Sequence, residues 1–285
     1  MLQYPLLFVQ RLSDHDLELL ANVGDAPSEV SELRRRLTRD PAAVEPLIAH
    51  PELFEMLFRG SETGLSTGLT PLLAFAVLVH RAARDLASAS YVSEWVGAGE
   101  RLPVFDVNTL REFIDDIPRR YLIIEFLTSF TRVSSGSVWV RTERGYRRRR
   151  YSELDPVGLA EMVEALPREQ RAPGYRRLGD VALFLTGVFP DHTARHPLSP
   201  MSRARLATFA GVRDDGGLER DYLRFLEVVG TSWYHRAAAT PFLSPVVNQP
   251  LEEMAANFTQ ARRFLNYLTD RYFHSFDTAL MNPVG

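Results

Sequence analysis

At 285 residues with 45% hydrophobic content, the chain is long enough for one large or two modest domains, and its formal net charge of −3 excludes a surface coated throughout by nucleic acid. The absence of cysteine excludes disulfides, thiolate metal sites and a cysteine nucleophile. All 33 Lys+Arg positions are arginine, as a GC-rich bacterial genome would produce, so the placement of arginine carries information and its identity does not.

The opening MLQYPLLFVQRL has no basic segment ahead of its short apolar run, and Asp14 and Asp16 follow closely. No secretory signal is expected. The apolar run VALFLTGVF is about half the roughly 18 to 20 residues that a membrane span needs, so a cytoplasmic protein without membrane contact is expected.

Ser13, followed by Asp14, Asp16 and then Leu17, Leu19 and Leu20, predicts a helix with an N-cap and an acidic first turn. Pro27-Ser28-Glu29 predicts a second helix through Leu37, Asp40-Pro41 a third, and Pro51 a fourth ending before Gly60. Arg34, Arg35 and Arg36 fan over about 200° of a helix and read as cations at its solvated C-terminus rather than as one basic face. The Gly/Ser/Thr-rich stretch Gly60 to Thr70 marks a boundary, after which Pro71 to about Trp95 reads as one long helix.

The next segment carries the functional reading. Asp106 to Asp116 predicts a helix, Ile117-Pro118 a tight break, and Arg119 to about Arg132 a second helix. A strand from Val138 to Glu143, a turn at Arg144-Gly145 and a strand from Tyr146 to Tyr151 follow. That order is the order of a winged helix-turn-helix. Strand alternation puts Tyr146, Arg148 and Arg150 on one face and Arg147, Arg149 and Tyr151 on the other, and separates Val138 and Val140 from Trp139 and Arg141. Such a ribbon can lay an arginine face along phosphates and enter a minor groove with its tip. Charge on an exposed edge strand also blocks aggregation, and an acidic protein is a third partner for it. On the second helix, Arg119, Arg120, Glu125, Thr128, Thr131 and Arg132 are what remains for bases, of which Arg119, Arg120, Thr128 and Arg132 are expected to face a major groove, although apolar residues take most of the surface.

Asp155-Pro156 predicts a helix through Leu166, and PREQRAPG, from Pro167 to Gly174, marks a second boundary. Leu178 to Phe189 is apolar nearly all round, with Gly179, Ala182 and Gly187 as small residues, which predicts a buried central helix. Leu218, Tyr222, Phe225, Val229, Trp233 and Ala237 form a stripe on a helix that starts after Gly217. A last long helix is expected from Pro250. Its Leu251, Met254, Phe258, Ala261, Leu265, Leu268 and Tyr272 step by three and four, as the seam of a homodimer or of a neighbour in a bundle would.

His192 and His196 have a metal-binding i, i+4 spacing beside Asp191, but Pro190 and Pro197 leave barely one turn, so no metal is expected. The aromatics around His235 and His274, with Trp233 and Tyr272, are a further candidate ligand pocket. No nucleophile elbow, Walker loop or dinucleotide fingerprint occurs, and Asp115-Asp116 and Asp214-Asp215 are adjacent pairs that point apart. Neither a cofactor nor an enzymatic activity is expected.

The expected architecture is mainly α: a multi-helix bundle with one short β-hairpin, arranged as a winged helix-turn-helix plus a C-terminal helical domain. The expected segments are 1–60, 70–166 with its hairpin at 138–151, and 174–285. The expected function is that of a DNA-binding bacterial transcriptional regulator. Its contacts would be Arg119, Arg120, Thr128, Arg132, Arg141, Arg144, Arg147, Arg148, Arg149 and Arg150. The alternative is a helical scaffold that docks an acidic protein partner and self-associates through its last helix.

Overall fold

A single buried carboxylate joins the starts of two helices. Ser13 accepts from the Asp16 N–H at 3.0 Å and Asp16 accepts from the Ser13 N–H at 2.9 Å, which is the expected cap in its reciprocal form. Asp16, fully buried, also accepts from the Thr70 N–H at 3.2 Å and the Thr70 hydroxyl at 2.9 Å. Thr70 in turn caps the following helix by accepting from the Leu73 N–H.

The computed structural model describes residues 3–58, 68–97, 99–132, 135–142, 145–152, 154–213, 221–239 and 245–273, with backbone alone at 3, 135–142, 145–151 and 245–248. The chain divides into two compact units. The first comprises Met1–Val92, Phe105–Thr131 and Tyr267–Gly285, and the second comprises Ser93–Val104 and Arg132–Asn266. The division falls near residues 92, 105, 131 and 266. Both units are discontinuous in sequence.

The first unit contains α1 (Gln3–Arg11), α2 (Asp14–Ala21), α3 (Val30–Arg39), a short 3-10 turn at Pro41–Ala43, α4 (Val44–Ile48), α5 (Pro51–Phe58), α6 (Pro71–Ser88), α7 (Asn108–Asp115) and α8 (Ile117–Ser129). Every residue of α6 from Leu72 to His80 is buried, so α6 is the hydrophobic axis of this unit, packed by α4, α5, α7 and α8. Asp116 starts α8 by accepting from the Arg119 N–H, with Pro118 in the first turn, where a missing N–H does no harm.

The second unit holds two separate two-stranded sheets, β1 (Val92–Gly97) with β2 (Glu100–Val104), and β3 (Ser135–Thr142) with β4 (Gly145–Ser152). Its helices are α9 (Pro156–Glu164), α10 (Ala172–Gly187), α11 (Pro190–Arg195), α12 (Pro200–Ala210), α13 (Tyr222–Ala238), α14 (Pro245–Ala256) and α15 (Phe258–Tyr272), the last running on into the first unit from Tyr267. The small residues of α10 act as expected. A Cβ on Gly179 would lie 2.8 Å from the Tyr234 ring, and one on Gly230 of α13 would lie 2.7 Å from Phe258 and 2.8 Å from Ala182. Buried Asn266 donates to the carbonyls of Thr186 and Gly187 at 3.1 and 2.7 Å and so satisfies the C-terminal end of α10.

Three expectations are corrected. The helix read from Pro71 to Trp95 ends at Ser88, and Val92–Gly97 is a strand, so the described residues form two short sheets rather than one hairpin. The reason is local: Val92, Trp95 and Val96 favour strand, and Gly99 takes a positive φ of 80° at the reversal. Pro250 lies inside α14, which begins at Pro245, and a turn at Asn257 separates α14 from α15. Helical bonding nevertheless carries across, from the Asn257 N–H to Glu253 and from the Ala261 N–H to Asn257. Finally, Gly145 is the first residue of β4, paired with Thr142, rather than part of the turn. Of the α13 stripe, Leu218 lies outside the described residues, while Phe225, Val229, Trp233 and Ala237 are buried.

Candidate nucleic-acid interface

The β3–β4 ribbon is built from Val, Trp, Tyr and Thr between Ser and Gly, residues that suit a pleated strand. Its two strands are eight residues each, so the ribbon is about 26 Å long at 3.3 Å per residue. The antiparallel register sets Ser137 opposite Arg150, Trp139 opposite Arg148 and Arg141 opposite Tyr146, with Val138 opposite Arg149 and Val140 opposite Arg147 between them. Directly opposed residues share a face. One face therefore gathers Ser137, Trp139, Arg141, Tyr146, Arg148 and Arg150, and the other gathers Val138, Val140, Arg147, Arg149 and Tyr151.

Positive charge is concentrated on the two strands themselves, and the nearest acids in sequence are Glu143 between them and Glu153 just after β4. β3 and β4 hold five arginines and neither an aspartate nor a glutamate. Elsewhere arginines stand beside acids: Arg11 with Glu125, Arg34 with Asp14, Arg35 with Glu32, Arg171 with Glu164 and Arg262 with Glu227. Like charges two residues apart on one strand face are about 7 Å apart, and an anion laid along them relieves their repulsion. At its base β4 touches α9. No third strand covers either ribbon edge among the described residues. Arg144 lies outside them.

The helix positions expected to face a major groove are placed differently. Arg120 donates to Glu45 at 2.8 Å, to the Ile114 carbonyl at 3.1 Å and to the Asp115 carbonyl at 3.3 Å, so it clamps α4 to the α7–α8 corner. Arg119 lies over the Phe113 ring and near Asp116, and the Thr128 hydroxyl donates to the Ile124 carbonyl of its own helix at 2.7 Å. Arg132 is exposed and belongs to the second unit. Tyr121, Ile123, Ile124, Phe126 and Leu127 are buried, which makes α8 a core helix of the first unit.

The heptad stripe of the last helices is accounted for inside the chain. Leu251, Met254, Phe258, Ala261, Leu265, Leu268 and Tyr272 are all at most 7% exposed. A seam already covered in one copy offers no apolar strip to a second, so these positions read as intramolecular core.

Other residues singled out by the sequence have structural partners. Asp191 accepts from the Trp95 indole N–H and the Gly99 N–H, both at 2.8 Å, and from Arg101 at 3.0 Å. Partial burial raises its pKa, but these hydrogen bonds, Arg101 foremost, outweigh burial and bring it down to about 2. It fastens the β1–β2 hairpin to α11, with Arg263 of α15 pairing with Glu94 as a second tie. His192 and His196 stack on each other 4.4 Å apart. Trp233 is fully buried, His235 is exposed, Tyr272 donates to Asp85 at 2.5 Å, and His274 lies outside the described residues. Asp116 is a helix cap, whereas Asp214 and Asp215 lie outside the described residues.

The aromatic residues of the ribbon were the members of this site that the sequence reading passed over. Alternation within each strand already sets Tyr146 with Arg148 and Arg150, and Trp139 with Arg141, and the pairing of the strands joins the two sets on one face.

The fold and ribbon define a mainly helical, two-unit protein carrying a basic β-ribbon. No family model matches the chain, and neither the curated proteins nor the solved structures contain a match. No helix among the described residues is long and apolar enough to cross a membrane.

Proposed function

We propose that this chain binds DNA, and that the β3–β4 ribbon makes the principal contact. The observation that carries the reading is the concentration of five arginines on two paired strands that contain no acid. Arg141, Arg147, Arg148, Arg149 and Arg150 supply cations to phosphate, and guanidinium groups can fork onto phosphate oxygens. The order α7, α8, β3, β4 is that of a winged helix-turn-helix, so regulation of transcription is the fuller form of this reading. The intramolecular roles of Arg120 and Thr128 shift the weight from α8 to the ribbon. Backbone contact and local DNA shape, rather than a base-reading helix, then supply most of the affinity.

The test is fluorescence anisotropy of labelled DNA across a salt series, with wild type beside a variant carrying Arg147, Arg148, Arg149 and Arg150 as alanine. Neutralising about five phosphates gives a slope of log K against log salt of roughly −4.5, which the variant loses with most of its affinity. Coincident curves for the two proteins, or no binding by either, would sink the reading and favour an acidic protein as the partner of the ribbon.

A further inference from the structure

The two faces of the ribbon are chemically unlike. One carries Trp139 opposite Arg148, Tyr146 opposite Arg141, and Arg150 opposite Ser137. The other carries Val138 and Val140 opposite Arg149 and Arg147, with Tyr151 opposite Gly136 at the far end. The first face thus interleaves two aromatic residues with three cations, and the second pairs its arginines with aliphatic residues.

Trp139 and Tyr146 are diagonal neighbours across the ladder, because Trp139 pairs with Arg148 and Tyr146 lies two residues earlier on β4. Diagonal neighbours on one face are about 7–8 Å apart. Bases in a stacked strand rise about 3.4 Å each, so this diagonal spans about two base steps. Rings at that spacing match successive bases of a stretched single strand, whose bases have open π-faces. In a duplex every interior base face is covered by its neighbours, and an aromatic residue gains nothing there beyond what its bulk displaces. Arginines serve phosphate in either form of DNA, whereas an aromatic between arginines adds stacking only where bases are unpaired.

We infer that the face of Trp139, Arg141, Tyr146, Arg148 and Arg150 binds single-stranded DNA, with unpaired bases stacking at positions 139 and 146 and phosphates held by the three arginines. This rests on the DNA-binding reading above and specifies the form of DNA. The double-stranded contact then belongs to the arginines alone and is the weaker of the two.

The experiment compares one labelled oligonucleotide of about 20 nucleotides as single strand, as duplex and as RNA, by anisotropy at fixed salt. The proteins are wild type, W139L/Y146L, W139F/Y146F and R148A/R150A, each checked for its helical circular dichroism. Wild type should bind the single strand at least about tenfold tighter than the duplex. W139L/Y146L should weaken single-strand binding by about 30-fold or more and leave duplex binding within about twofold, and the phenylalanine pair should restore most of the loss. R148A/R150A should weaken both.

Equal affinity for single strand and duplex, or equal loss on both in W139L/Y146L with its fold intact, would overturn the inference while the DNA-binding reading stands. Absence of binding to any form by wild type would overturn both. Tighter binding of the RNA strand would overturn the assignment to DNA.

Discussion

Trp139 stands directly opposite Arg148 across the β3–β4 ladder, and with that one pairing the aromatic residue of one strand and the cations of the other fall on the same face. Everything proposed about the ribbon follows from this pairing, because a slip of one residue would send Trp139 to the company of Arg147 and Arg149.

The β1–β2 hairpin depends on one carboxylate. Asp191→Ala leaves the Trp95 indole N–H and the Gly99 N–H without their acceptor, and should destabilise by about 1–3 kcal/mol in urea unfolding with a shift of Trp95 emission. Asp191→Asn keeps an acceptor oxygen and should lose less. Since the folded pKa of Asp191 is held down to about 2, against the ordinary aspartate value of 3.8, its contribution is present above pH 4 and fades as pH falls toward 2.

His80 gives a second pH dependence, at milder acidity. Burial first, then Arg120 and Arg84, lower its pKa from 6.5 to about 3, and Glu45 lies 3.7 Å from its Nε2. The folded state keeps the ring neutral, whereas the unfolded chain takes up a proton below pH 6.5. Stability should therefore be complete above that pH and fall as pH drops toward 3, by up to about 1.4 kcal/mol per pH unit from this group. In His80→Leu that part of the slope should vanish; identical pH profiles for wild type and variant would contradict it.

Helix packing in the second unit leaves no room at Gly230. Gly230→Ala would set a methyl 2.7 Å from Phe258 and 2.8 Å from Ala182, so the variant should lose about 1–3 kcal/mol, read as a lower Tm. An unchanged Tm would mean that α13 and α10 are not in this close contact.

Asp16 ties α2 to α6. Asp16→Ala removes the acceptor for the Ser13 N–H and for both Thr70 donors, and should cost about 2–4 kcal/mol. Ser13→Ala removes a single cap bond and should cost about 1 kcal/mol. Urea unfolding of the two variants side by side measures the difference.

Local features were legible wherever they rest on nearby residues. Ser13 and Asp16 announced their cap, and Gly179, Ala182 and Gly187 announced close packing around α10. The faces of the ribbon were half legible. A turn at Arg144-Gly145 would set Trp139 opposite Arg150, but because faces repeat every second residue, that register and the observed one leave the same residues together. What was illegible lies far apart in the chain: Arg120 reads as a free cation until Glu45, 75 residues earlier, is brought beside it. The stripe from Leu251 to Tyr272 has the same spacing whether its cover is another chain or this one, and only burial distinguishes them. The β1 strand was missed because Ala- and Leu-rich α6 extends the helical pattern up to it, and the strand signal is only a few residues long.

The central claim is that one face of the ribbon is the face that binds single-stranded DNA, and it is tested most directly by two double variants of equal charge. R148A/R150A and R147A/R149A each remove two cations, two residues apart on β4, but from opposite faces. Anisotropy titrations with single-stranded DNA at one salt concentration should show R148A/R150A weakened by about tenfold or more and R147A/R149A by about threefold or less, since the latter loses only the general attraction of the ribbon. Equal losses from the two variants, or a larger loss from R147A/R149A, would contradict the account.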